Sequence, residues 1–278
     1  MHPLVAADEL ATLLDEDRAI AADVRWYLDG RSGRDAYHSG HIPGAVFVDL
    51  DTVLAAPVGA GPGRHPLPRP EAFADAMVAL AIGDDDLVVA YDDAGGSIAA
   101  RLWWMLDVTG HRAAVLDGGL GAWTGALEIG DPPPRRHATF TAKEWPASAV
   151  ADAGDVAALL DRGDGVVLDA RASERYRGDV EPIDARAGHI PGARNAPWMG
   201  NLAPDGRFLT PADLGARFEA VGVSEETEVI AYCGSGVTAC HDVLALRIAG
   251  VDARLYEGSW SDWSSDPVQP VATGDEPG

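Results

Sequence analysis

Ser39-Gly40-His41-Ile42-Pro43-Gly44-Ala45 and Ala187-Gly188-His189-Ile190-Pro191-Gly192-Ala193 are almost the same seven residues written twice in one chain. The likeness extends in both directions. Ahead of each copy lies a helix-like stretch, residues 8–14 and 155–160, followed by a short apolar segment with an Asp and a closing Arg, residues 21–25 and 167–171. Behind each copy a second apolar segment follows, Leu87-Val88-Val89-Ala90-Tyr91-Asp92 in the first half and Glu228-Val229-Ile230-Ala231-Tyr232-Cys233 in the second. Residues 117–123 and 257–263 then match as Asp-Gly-Gly and Glu-Gly-Ser, each ending on a Trp. Order and spacing agree over most of each half, so the chain reads as an internal repeat.

The repeat sets the architecture. The apolar segments are short and continuous, as expected of strands buried on both faces, and they alternate with helical stretches such as residues 70–80 and 211–218. Thr210 as an N-cap, Pro211 in the first turn and an early Asp213 form a strong helix start. The expected fold is α/β, two tandem domains each with a mostly parallel sheet flanked by helices. The domains are read as residues 1–130 and 147–278, with a linker at 131–146 on the Pro density of residues 130–137. The tail after Asp266 is polar and is expected to fray.

A length of 278 residues accommodates two domains, and 47% hydrophobic with 23% charged residues is ordinary for a globular protein. The net charge of −23 argues against nucleic acid or an anionic membrane as a partner. No apolar run reaches the roughly 18 residues of a transmembrane helix. Acidic Asp8 and Glu9 interrupt the N-terminus before a signal sequence develops, so the expected location is the cytoplasm. Lys143 is the only lysine, so arginines must supply any positive site for an anion.

Two cysteines, Cys233 and Cys240, make no disulfide framework. Cys240 falls on the following helix and reads as packing. Cys233 ends an apolar strand and opens the loop Gly234-Ser235-Gly236-Val237-Thr238 before that helix. In an open α/β sheet such a loop lies at the carboxyl end of the strands, where ligands bind. Its small residues let several N–H groups converge into a nest beside a helix N-terminus, which favours an anion and hence the nucleophilic thiolate. The first half has Asp92 and Asp93 at that point, and so has the scaffold without the nucleophile. One catalytic and one degenerate half imply a substrate site at their interface. His41 and His189 recur in both halves and read as structural turn residues. Trp103, Trp104, Trp123, Trp260 and Trp263 read as packing. No metal-ligand spacing or dinucleotide fingerprint is present, and neither metal nor cofactor is expected.

Together the Cys233 loop, the His-Ile-Pro-Gly elements and the paired Trp motifs resemble the rhodanese-type sulfurtransferases over nearly the whole chain. The loop Cys-Gly-Ser-Gly-Val-Thr-Ala-Cys is similar to the 3-mercaptopyruvate-using branch. The resemblance implies that Cys233 takes sulfur from 3-mercaptopyruvate as a persulfide and passes it to cyanide or a thiol acceptor such as thioredoxin. It implies proton transfer by Ser235 with Asp51 and His65, and substrate contacts from the loop residues Gly234, Gly236, Val237 and Thr238. It assigns the donor's carboxylate to Arg175. The family's second carboxylate-binding arginine is expected after Glu181-Pro182, where this chain has Ile183; Arg186, three positions on, is the candidate to replace it.

A phosphatase of related fold needs an Arg in the Cys loop to hold phosphate, and this loop has none. A non-catalytic persulfide carrier needs no second domain. A thiosulfate sulfurtransferase differs in donor alone.

Overall fold

The computed structural model describes residues 2–132 and 137–278; residues 133–136, inside the segment read as a linker, lie outside it. The chain forms two compact units. The first comprises Met1–Ala56, Pro68–Trp145 and Pro204–Arg207; the second comprises Pro57–Leu67, Pro146–Ala203 and Phe208–Gly278. Residues 57–67 thus group with the second unit although the first half of the sequence encodes them.

In the first unit the described strands are β1 (Leu4–Val5), β2 (Ile20–Asp23), β3 (Val46–Phe47), β4 (Leu87–Tyr91) and β5 (Arg112–Leu116). They form one parallel sheet in the order β1-β5-β4-β2-β3. In the second, β6 (Val150–Ala151), β7 (Gly165–Asp169), β8 (Arg194–Asn195), β9 (Glu228–Tyr232) and β10 (Arg254–Tyr256) repeat that topology as β6-β10-β9-β7-β8, again parallel. The central strands β4 and β9 are buried along almost their whole length, which explains their unbroken apolar reading. Helices connect the strands: α1 (Ala7–Asp15), α3 (Pro70–Ala79) and α4 (Ala99–Val108) in the first unit, and α6 (Ala153–Arg162), α8 (Pro211–Glu219) and α9 (Ala239–Ile248) in the second. Short helices α2 (Gly33–Ser39), α5 (Gly119–Ala122), α7 (Ser173–Arg177) and α10 (Ser259–Trp263) complete the set. Thr210 caps α8, its side chain accepting from the Asp213 N–H.

The repeated residues perform the same task in both units. At the end of β7, Asp169 receives Nε and Nη2 of Arg171, and Nη2 also reaches the Gly188 carbonyl at 2.7 Å. Asp23, Arg25 and Gly40 repeat this in the first unit, with Nη2 to Gly40 at 2.8 Å. The histidine turn is fixed from the other side. His189 donates through Nδ1–H to the Tyr176 carbonyl and stacks on that ring at 3.7 Å; His41 does so with Tyr37 at 3.9 Å. The Ile190 and Ile42 N–H groups donate to the hydroxyls of Tyr232 and Tyr91. Burial raises both tyrosine pKa values well beyond the ordinary, so the phenols stay neutral. The paired motifs are therefore the clamp that locks each sheet to its turn. No helix of the described residues is long and apolar enough to cross a membrane.

Candidate active site

Cys233 follows β9 directly and is 2% exposed. Its N–H donates to Ser259 Oγ at 3.1 Å, and its carbonyl accepts from Trp260 N at 2.9 Å. The Gly234 carbonyl accepts from Ser261 N at 2.9 Å. Gly236 has φ +77°, and a Cβ there would run into the Glu257 carbonyl oxygen, so glycine is required for the loop to close on the 257–261 turn. Val237 is buried and Thr238 half-buried; they lead into α9. Cys240 is fully buried and its Sγ–H points to the Gly236 carbonyl at 3.4 Å, which holds the loop from beneath. Ser259 itself has φ +53°, a strained conformation for a residue other than glycine. Its hydroxyl accepts the Cys233 N–H and donates to the Tyr256 carbonyl at 2.9 Å, two bonds that offset the strain.

The same turn seats the 57–67 segment. Gly63, at φ +71°, lies so close to the Gly258 carbonyl that no side chain fits. Arg64 N donates to Ser261 Oγ at 3.1 Å, and Leu67 N to Glu257 Oε2 at 2.9 Å. Between these anchors His65 places Nδ1 2.8 Å from Ser235 Oγ. The Glu-Gly-Ser-Trp turn thus positions the cysteine loop and the histidine loop together.

Two guanidinium groups border the loop. A methyl built on Gly234 would stand 3.2 Å from Arg64 Nη2 and 3.4 Å from Arg175 Nη1. Arg175, from α7, pairs with Glu181 at 2.7 Å and Asp184 at 3.1 Å. Arg64 was not singled out from the sequence; a Gly- and Pro-rich segment gave no sign that it would be pinned here.

Arg186 corrects an expectation. Its Nε donates to the Ser264 carbonyl, Nη1 to Gln269, and Nη2 to Trp263 and Asp266, at 2.6–3.0 Å. The guanidinium is committed to the backbone of the C-terminal segment, so the structure does not offer it as the second carboxylate anchor. Those bonds also order a stretch beyond Asp266 that composition alone marks as loose. Asp51 belongs to the first unit, where it is exposed and accepts from Trp26 Nε1 at 3.1 Å.

The first unit shows what a loop at this position of the fold does to an anion. Asp92, the counterpart of Cys233, is fully buried. Its Oδ1 accepts from the N–H groups of Ala94 and Gly96, and its Oδ2 from Ile98 and Ala99, all at 2.8–2.9 Å. Burial raises the carboxyl's pKa above its ordinary value, and the four donors oppose that rise. The nest expected of the cysteine loop is therefore visible in its twin, wrapped around the twin's own carboxylate.

A family model described as the rhodanese-like domain matches residues 6–126 and again residues 152–266. The chain belongs to this family. A probable 3-mercaptopyruvate sulfurtransferase from Pseudomonas aeruginosa is 47% identical over 98% of both chains. A putative thiosulfate sulfurtransferase from Mycobacterium tuberculosis is 43% identical over 98% of this chain and 97% of its own. The crystal structure of a 3-mercaptopyruvate sulfotransferase from Escherichia coli aligns with a TM-score of 0.82 at 36% identity, covering 94% of this chain and 100% of that one.

Proposed function

We propose that the protein is a sulfurtransferase that moves a sulfane sulfur from 3-mercaptopyruvate, through a persulfide on Cys233, to a thiol or to cyanide. The observation that carries this reading is the anion nest around Asp92, because the repeat gives Cys233 the same place on an equivalent loop. In the first half-reaction the Cys233 thiolate attacks the donor's sulfur. The carbon–sulfur bond breaks and its electron pair leaves with the carbon, which takes up a proton to become pyruvate. The hydrogen bond between His65 and Ser235 supports assigning that proton transfer to this pair. In the second half-reaction an acceptor thiolate attacks the outer sulfur and releases the Cys233 thiolate.

Arg175 and Arg64 would receive the donor's carboxylate, and the backbone of Gly234, Gly236, Val237 and Thr238 the transferred sulfur. Asp51 is assigned to proton transfer by the family resemblance. Thioredoxin is the proposed thiol acceptor and the cytoplasm the proposed location.

A second reading, thiosulfate as donor, is favoured by one relative's description and by the engagement of Arg186 elsewhere. Turnover of both donors with cyanide, alongside Cys233→Ser, separates them. Preference for 3-mercaptopyruvate, lost in the variant, supports the first. Preference for thiosulfate supports the second, and no turnover of either leaves a persulfide carrier.

A further inference from the structure

An anion already occupies the two arginines beside the cysteine loop, and it is the protein's own. Asp184 pairs through Oδ1 with Arg64 and through Oδ2 with Arg175. Its side chain is 4% exposed, whereas Arg64 is 29% and Arg175 19% exposed. A carboxylate held by two guanidinium groups within reach of Gly234 is the arrangement a carboxylate-bearing donor would need.

The neighbouring acid differs from it. Glu181 accepts the N–H groups of Ile183 and Asp184 on Oε1 and meets Arg171 with Oε2 at 3.4 Å. It therefore builds the turn. Burial would raise its pKa, but these N–H donors and Arg175 outweigh that and hold it below the ordinary carboxylate range. Asp184 instead pairs with Arg64 and Arg175, and follows an exposed Ile183 in the chain. Burial raises its pKa, against the pull of Arg64 and Arg175.

Charge completes the case. Arg64, Arg171 and Arg175 face Asp169, Glu181 and Asp184, three cations against three carboxylates. An incoming anion meets no net attraction while Asp184 stays. Yet Arg175 Nε–H is buried without an acceptor, so the internal carboxylate leaves this guanidinium incompletely paired.

We infer that Asp184 is a specificity-determining residue: a built-in stand-in for the donor's carboxylate that must give up Arg64 and Arg175 before the donor binds. This rests on the sulfurtransferase reading for its substrate, although the competition itself is a property of anion binding. Asp184 takes no part in bond making, so its removal acts on KM and leaves kcat alone.

The test uses Asp184→Asn, which keeps the shape and removes the charge, with Asp184→Ala beside it. KM for 3-mercaptopyruvate is expected to fall about five- to tenfold in both at unchanged kcat, since the carboxylate that pairs with both arginines is removed. Calorimetric titration of pyruvate into Cys233→Ser, with and without Asp184→Asn, reads the same competition without turnover, and a parallel gain in affinity is expected. Equal or weaker pyruvate binding in the Asp184 variants overturns the proposal. Tighter pyruvate binding in a protein that turns over no donor upholds it and sinks the sulfurtransferase reading instead.

Discussion

His65 Nδ1 stands 2.8 Å from Ser235 Oγ, across 170 residues of sequence, because both loops are fixed to the 257–261 turn. In the proposed mechanism this hydrogen-bonded pair transfers the proton. His65→Gln and Ser235→Ala are each expected to lower kcat for 3-mercaptopyruvate by roughly 10²–10³-fold. The double variant should be little worse than either single one, as for groups acting in one relay. Steady-state kinetics on the four proteins checks this; additive losses would mean that the two residues act separately.

Arg64 and Arg186 should behave in opposite ways. Arg64→Ala removes a cation beside Gly234 and is expected to raise KM for the donor about tenfold or more with a smaller change in kcat. Arg186→Ala cuts four bonds to the C-terminal backbone and should leave KM near the parent value. Its expected effect is faster proteolysis of the segment after Asp266, read by limited digestion and mass mapping.

Asp92 has a structural prediction of its own. Replacing it with Ala leaves four N–H groups, three of them buried, without this acceptor and should destabilise the protein by about 3 kcal/mol or more. Asp92→Asn keeps one carbonyl oxygen for some of them and should cost less. Denaturant unfolding measures both.

Much of this organisation was legible in the sequence. The duplicated His-Ile-Pro-Gly turn and the strand before it announced two α/β units, because each motif residue has a packing duty it performs twice. Cys233 and its loop stood out because Gly234, Ser235 and Gly236 are poor choices for a core. What escaped notice were partners set by distant backbone. Arg64 follows a segment of small residues and is placed by Ser261, nearly two hundred positions away. Arg186 was judged by its spacing from Glu181, a measure blind to four carbonyls supplied by the tail. Asp92 shows in the sequence only as the absence of a nucleophile; that its carboxylate fills the nest depends on backbone N–H groups that sequence does not display. Asp184 drew no attention, since its meaning depends on two arginines from different loops.

One buried acid, on the helix after the cysteine loop, is expected to lower stability as pH rises. Asp242 on α9 is fully buried, and burial pushes its pKa up to about 7 against the pull of its Asn201 hydrogen bond and of Arg217, with Asp169 adding to the rise. Asn201 Nδ2 donates to its Oδ1 at 2.7 Å, His241 borders the same amide, and Oδ2 has no partner. A carboxyl whose folded pKa lies above its unfolded value stabilises fully below about pH 4, and that contribution is lost as pH rises through about 7. The ceiling is on the order of 4 kcal/mol from the size of the shift. Asp242→Asn is expected to flatten the decline of Tm between about pH 4 and pH 7. An unchanged slope would show that other groups set it.

The central claim is that Cys233 carries the sulfur. The direct measurement is peptide mass mapping of the protein after exposure to 3-mercaptopyruvate without an acceptor, followed by addition of cyanide. One added sulfur atom is expected on the peptide containing Cys233, localised to that residue and removed by cyanide. Sulfur on Cys240, or continued turnover by Cys233→Ser, would contradict it.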